Sequence, residues 1–147
     1  MEAEWIEQFI LSHRIARLAT VDETGQPLVV PFCYAYDGHC LYTAIDEKPK
    51  RAPESKLKRI RNIESNPKVC AVIDYYEEDW SKLAYVIIHG LAQLLSSGDE
   101  EHSRAVSLLR SKYPQYSSMA IDRNLIIKIT PTKITGWRAS SVVSEPE

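Results

Sequence analysis

Between Leu41 and Asn66 the chain gathers one hydroxyl and a run of cations: Thr43, then Lys48, Lys50 and Arg51, then Lys56, Lys58 and Arg59. Lysine and arginine supply charge and a hydroxyl or backbone N–H supplies direction, which are the parts of a phosphate site. A basic run is by itself more often a solvated helix face. This run stands out because the chain as a whole carries a formal net charge of −2. Other chemistry is poorly served. His13, His39, His89 and His102 are scattered, with no second His or Cys at ligand spacing, so no metal site is expected. Cys33, Cys40 and Cys70 form no close-spaced pair and read as free thiols, with Cys33 and Cys70 as core residues of strands. No Ser-His-Asp or Cys-His arrangement follows from spacing, and neither GxGxxG nor GxxxxGK is present. His89 reads as structural, and Glu77, Glu78 and Asp79 as a solvated acidic loop.

The elements that must hold the basic run are legible from periodicity. Trp5, Ile6, Phe9 and Ile10 fall at helical spacing over residues 3–13. Alternation over 14–21 predicts a strand, closed by turn chemistry at Asp22-Glu23-Thr24-Gly25. A second extended run, 28–36, contains Pro31, which lacks a ladder donor and marks an edge or a bulge. Asp37-Gly38 is a hairpin signal, and the return strand is 39–45. A helix is expected from Pro53, with Leu57, Ile60 and Ile63 on one face, ending at Asn66-Pro67. Strands over 69–76 and 83–95 follow, the latter with a bulge near Gly90. Acidic residues open and Pro114 closes a helix over 97–113, and strands at 124–130 and 133–137 flank Pro131.

A chain of 147 residues is one domain's worth, and its 44% apolar and 26% charged residues are ordinary for a globular protein. One domain over 1–138 is expected, with 139–147 as a disordered tail. No apolar run approaches the roughly 18 residues of a membrane span, and the acidic start is unlike a signal peptide, so a cytoplasmic protein is expected. No aromatic platform is interleaved with the cations, so nucleic acid is not an expected partner, nor is a membrane. Short-turn succession of strands, with few helices, points to an antiparallel barrel or α+β sheet.

The order of the short motifs is more specific than any one of them. Arg17-Leu18-Ala19-Thr20-Val21, Gly25-Gln26-Pro27, Val30-Pro31, Leu41-Tyr42-Thr43, the basic helix and Asn66-Pro67 together resemble the pyridoxamine 5′-phosphate oxidase-like split-barrel flavoproteins. Asp46-Glu47-Lys48-Pro49-Lys50, Arg61-Asn62-Ile63, Asn66-Pro67, Asp74-Tyr75-Tyr76-Glu77-Glu78-Asp79-Trp80 and Gly136-Trp137 are similar to a subgroup of deazaflavin (coenzyme F-420)-dependent oxidoreductases. The resemblance spans about residues 14–137. It implies a mainly β fold, a six-stranded antiparallel split β-barrel with flanking helices, paired as a homodimer with cofactor between subunits. It implies FMN or the deazaflavin as cofactor and hydride transfer to a small organic substrate. Arg59, eight positions before Pro67, matches the residue that holds the cofactor phosphate, with Lys58 beside it. Tyr42 and Thr43 would line the phosphate and ribityl chain, and Val30, Pro31 and Phe32 would offer backbone to the ring. Trp80 is a candidate cap over the ring and Trp137 a candidate contact from the partner chain; both also read as ordinary aromatic anchors. Lys48, Lys50 and Arg51 would suit the oligoglutamate tail of the deazaflavin, and Lys56 of the basic helix is a further cofactor-binding candidate. The Arg-rich second strand and C-terminal Arg-Pro segment of true pyridoxamine phosphate oxidases are absent, so vitamin B6 oxidation is not implied. A non-catalytic FMN- or haem-related carrier on the same barrel is the alternative.

Overall fold

The computed structural model describes residues 2–45 and 57–139. Helix α1 (Glu2–Ser12) leads into a seven-stranded antiparallel sheet: β1 (Ala16–Val21), β2 (Pro27–Phe32), β3 (Ala35–Tyr36), β4 (Leu41–Ala44), β5 (Lys68–Tyr75), β6 (Ala84–Leu95) and β7 (Ile126–Arg138). Helix α2 (Lys58–Ser65) precedes β5 and α3 (Glu100–Lys112) precedes β7. The order across the sheet is β2-β1-β5-β6-β7-β4-β3. Strands β2 and β3 therefore lie at opposite edges, yet only Cys33 and Tyr34 join them. Three Cα steps reach at most about 11 Å, so the sheet must curl until its edges nearly meet. The result is a split barrel.

The sheet has seven strands, where the resemblance implied six. The extended run expected over 28–36 breaks at Cys33-Tyr34, where the chain leaves one edge and starts the other. Pro31 sits on the edge strand, paired only with β1 through Arg17, so its missing N–H costs no ladder bond. At the other end the two strands expected around Pro131 are one. Pro131 lies opposite Gly90, where the β6–β7 register shifts between His89 and Gly90. The bulge absorbs the missing donor, and β7 continues. Only glycine fits there, because a Cβ on Gly90 would stand 2.8 Å from the Thr130 carbonyl oxygen.

Alternation sets the core. Ala16 and Leu18 of β1, Ala71 and Ile73 of β5, and Val86 and Ile88 of β6 all face inward and are buried. Helix α1 closes the barrel with Ile10, and Gly136 lets Trp5 and Ile6 lie flush on β7. Strand β4 is buried on both faces. Leu41 belongs to the barrel interior, whereas Tyr42 and Ala44 pack under Ala105, Val106 and Leu109 of α3. Asp99 caps α3 by accepting the Glu101 N–H at 2.9 Å. The tight turns form as their residues require: Asp22 Oδ1 accepts the Thr24 and Gln26 N–H groups at 2.8 and 3.0 Å, and Gly25 and Gly38 take positive φ. Ala139 is held by its N–H to the Leu83 carbonyl, so the chain is anchored one residue past β7.

Candidate cofactor cleft

Four elements end near one another at the split of the barrel. Ile15 just before β1, Pro31 and Phe32 at the end of β2, Thr43 and Ala44 at the end of β4, and Arg59 in the first turn of α2 line a cleft of 190 Å³, with Cys33 in its wall. Each is held from behind. The end of β4 is fastened where Asn124 Nδ2 donates to the Ile45 carbonyl at 2.6 Å and the Ile45 N–H donates to Leu125 at 3.1 Å. Helix α2 is amphipathic: Ile60 and Ile63 enter the core, and Asn62 Nδ2 donates to Thr20 Oγ1 at 2.9 Å. With that face fixed, Arg59 falls half-buried on the cleft wall, while its neighbour Lys58 points outward to Asp22 Oδ2 at 3.3 Å. The Asp22 carboxyl is held far below the usual carboxylate range, first by the Thr24 hydroxyl and then by turn amides, so it stays an anion there.

The cleft continues. A second cavity of 680 Å³ shares Ile15 and Cys33 with the first and extends to Arg14, Tyr113, Pro114 and Gln115. The Tyr113 hydroxyl lies 2.7 Å from the Arg14 carbonyl oxygen and 2.9 Å from that of Tyr34, and accepts the Tyr34 N–H at 3.1 Å. It ties the starts of β1 and β3 to the end of α3. Burial pushes its pKa up to about 12, so it remains a neutral donor. Lys112 next to it donates Nζ to the His13 carbonyl at 2.6 Å and lies 3.9 Å from the Tyr34 ring centroid. Burial, and then the adjacent Arg14 cation, push its pKa down to about 8.

Of the residues singled out in the sequence, Pro31, Phe32, Thr43 and Arg59 share this cleft. Others lie elsewhere. Val30 packs against the core from the neighbouring position of β2. Tyr42 faces away from Thr43, under α3, where its hydroxyl donates to Glu101 Oε2 at 2.8 Å. Burial and the Glu101 hydrogen bond raise its pKa well above the usual phenol. Trp80 is 65% exposed on a short 3-10 turn, its indole N–H donating to the Tyr76 hydroxyl at 3.2 Å. Trp137 stacks on Tyr85 with centroids 5.6 Å apart, on the outer face of the sheet. Lys48, Lys50, Arg51 and Lys56 lie outside the described residues, as does the expected helix start at Pro53. Sequence reasoning missed Arg14, Ile15 and Tyr113, and read Cys33 as core although it is a shared wall of both cavities. The only signal was Cys33's place two residues after Pro31.

The donor set suits a planar cofactor with a phosphate arm. The lining combines the Arg59 cation and the Thr43 hydroxyl with apolar Ile15, Pro31 and Phe32. The fold at whose seam this cleft lies is a split β-barrel with flanking helices. Residues 3–138 match the family described as pyridoxamine 5′-phosphate oxidase, and the chain belongs to that family. No curated protein matches the chain at a significant level. Among solved structures, a conserved hypothetical protein of Mycobacterium tuberculosis aligns with TM-score 0.76 at 20% identity, covering 100% of this chain and 89% of that one. The haem storage protein HutZ of Vibrio cholerae aligns with TM-score 0.73 at 15% identity, covering 92% of each chain. A FAD-binding protein of Mesorhizobium loti gives 0.67 at 23% identity, covering 92% of each. At these identities the likeness shows the fold.

Proposed function

We propose that this protein is an oxidoreductase that binds FMN or a deazaflavin in the Arg59 cleft and acts on a small organic molecule. The carrying observation is the convergence of Pro31, Phe32, Thr43 and Arg59, from three elements, on one cleft. Arg59 and Thr43 would hold the phosphate arm by charge and hydrogen bond. The edge at Pro31 and Phe32, with Ile15, would form the bed for a planar ring. A bound flavin or deazaflavin supplies hydride transfer; the chain supplies position and a partly dry cleft. Neighbours that are described as a FAD-binding protein and as an F-420 reductase support a cofactor of this kind.

The reading includes a homodimer. The outer face of the sheet places Val29, Ala19, Cys70 and His89 in one row, Pro31, Arg17, Val72, Ile87 and Thr135 in the next, and Asp74, Tyr85 and Trp137 in a third. Val29, Tyr85 and Trp137 are substantially exposed there. The exposed Val29, Tyr85 and Trp137, set around the Arg17–Asp74 ion pair at 2.8 Å, favour burial against a second copy. Pro31 belongs both to this face and to the cleft, so the partner would border the cofactor.

The test begins with absorbance of the purified protein and titration with FMN and with the deazaflavin. Anaerobic reduction, then reoxidation by candidate acceptors, separates an enzyme from a carrier. A protein that holds cofactor but never returns electrons to an organic acceptor would be a carrier, as the haem storage neighbour's description suggests for the fold. Salt separates the cofactors. If Lys48, Lys50 and Arg51 bind a polyanionic tail, deazaflavin affinity falls more steeply with salt than FMN affinity. Matching slopes would leave FMN as the cofactor.

A further inference from the structure

The cleft has two cationic ends, and one phosphate arm uses only one of them. Arg59 stands at the first; Arg14 stands at the second, beyond the shared wall of Ile15 and Cys33. Arg14 is fixed in place. Its Nη1 donates to the Lys112 carbonyl at 2.7 Å, its guanidinium lies 5.3 Å from the Tyr113 ring centroid, and its own carbonyl is tied to the Tyr113 hydroxyl. A guanidinium has five N–H donors, and no carboxylate of the described residues pairs with this one. A cation already ordered by its own protein loses little entropy when it meets an anion. The rest of the chamber is short on charge: Ile15, Cys33, Tyr113 and Pro114 are apolar or carry neutral groups, and Gln115 is an uncharged amide.

From this arrangement we infer that the Arg14 chamber is the substrate pocket, and that it takes a planar organic monocarboxylate. The carboxylate meets the Arg14 fork, and the conjugated body lies over Ile15 and Cys33, beside the ring. This rests on the cofactor reading above. Arg14 is the one cation in the chamber lining, since the neighbouring Lys112 ammonium is turned to the His13 carbonyl and the Tyr34 ring, and a single guanidinium matches the one charge and the flat, two-oxygen geometry of a carboxylate. A phosphate is better served at the other cleft, whose lining adds the Thr43 hydroxyl to the Arg59 guanidinium.

The experiment uses the FMN-loaded full chain, with cinnamate and its neutral analogue cinnamamide as probes. Binding is read by calorimetry and by perturbation of the flavin absorbance. In the parent, cinnamate is expected to bind at least about ten-fold more tightly than cinnamamide, the scale of one charge-assisted contact. Arg14→Gln should bring the two to the same affinity, leave cinnamamide binding intact as a check on folding, and change FMN affinity less than about two-fold. Arg14→Lys should restore part of the preference. Equal binding of the two probes in the parent, absence of binding by either, or displacement of FMN by cinnamate would each overturn the inference while leaving the cofactor reading in place. Failure of the parent to bind FMN or the deazaflavin would overturn that reading, and this one with it.

Discussion

At the scale of single residues, the fate of a cation is decided by which side of a helix it occupies. Lys58 and Arg59 are adjacent, yet one joins the turn carboxylate Asp22 and the other lines the cleft. Arg59→Ala is expected to weaken FMN or deazaflavin binding by about 1.5–3 kcal/mol, the range for a charge-assisted hydrogen bond. Arg104→Ala is a suitable control, because that side chain is exposed and only loosely paired with Glu100 at 3.9 Å. Equal losses in a fluorescence titration of the two variants would show that Arg59 contributes only net charge. Arg110 would be a poor control, since it donates to the Tyr116 and Met119 carbonyls and so supports the fold. Lys112 gives a pH prediction. Folded, it releases its proton near pH 8 rather than at its ordinary value of 10.5. Between those values the unfolded chain binds more protons, so this group adds stability as pH rises. Urea midpoints should therefore climb more from pH 7.5 to 9.5 in the parent than in Lys112→Met. Parallel profiles would mean that the ammonium is well solvated in the folded state.

At the scale of elements, the longest strand pair of the sheet is β6–β7, formed although α3 separates the two strands in sequence. It pairs along its whole length, from Ala84 with Arg138 to Leu95 with Ile126, and the bulge at His89 and Gly90 divides it. Beyond the bulge β7 hands over to β4, whose end carries Thr43. Gly90→Ala should be destabilising by about 1–3 kcal/mol, because the methyl meets the fixed Thr130 backbone and the Ile129 side chain rather than a movable side-chain tip. Thermal unfolding measures this. An unchanged melting temperature would mean that the bulge can relax without cost. Strand β4, buried on both faces, explains why Tyr42 and Thr43 part ways: successive side chains point to opposite sides, one to α3 and one to the cleft.

At the scale of the whole molecule, the outer sheet face and the cleft meet at Pro31, so assembly and cofactor binding should be coupled. A homodimer is expected by light scattering at micromolar concentration. Trp137→Asp places a charge on the exposed Tyr85–Trp137 stack, away from the residues lining the cleft. It should shift the population toward monomer and lower cofactor affinity in parallel. A monomeric variant that still binds FMN as the parent does would show that one chain completes the site. A parent that scatters as a monomer would remove the interface from that face.

Much of the local structure could be read from the chain alone, because it depends on neighbours in sequence. Alternation marks the strands, Asp22 to Gly25 and Asp37-Gly38 make their turns through their own side chains, and Pro31 can occupy only an edge or bulge. Gly90 signals its bulge, and the order of motifs from Arg17 to Pro67 carries the family. The amphipathic face of α2 was equally legible in Ile60 and Ile63. What the tertiary structure decided is which of these local pieces meet. Cys33-Tyr34 joins two sheet edges only because the sheet curls, and a two-residue gap does not announce that. Arg14 and Tyr113 stand 99 residues apart, and their meeting depends on where α3 ends against the barrel. Periodicity is set by local sterics, but the seam of the barrel is set by register, twist and helix packing summed over the chain, and the cleft exists only at that seam.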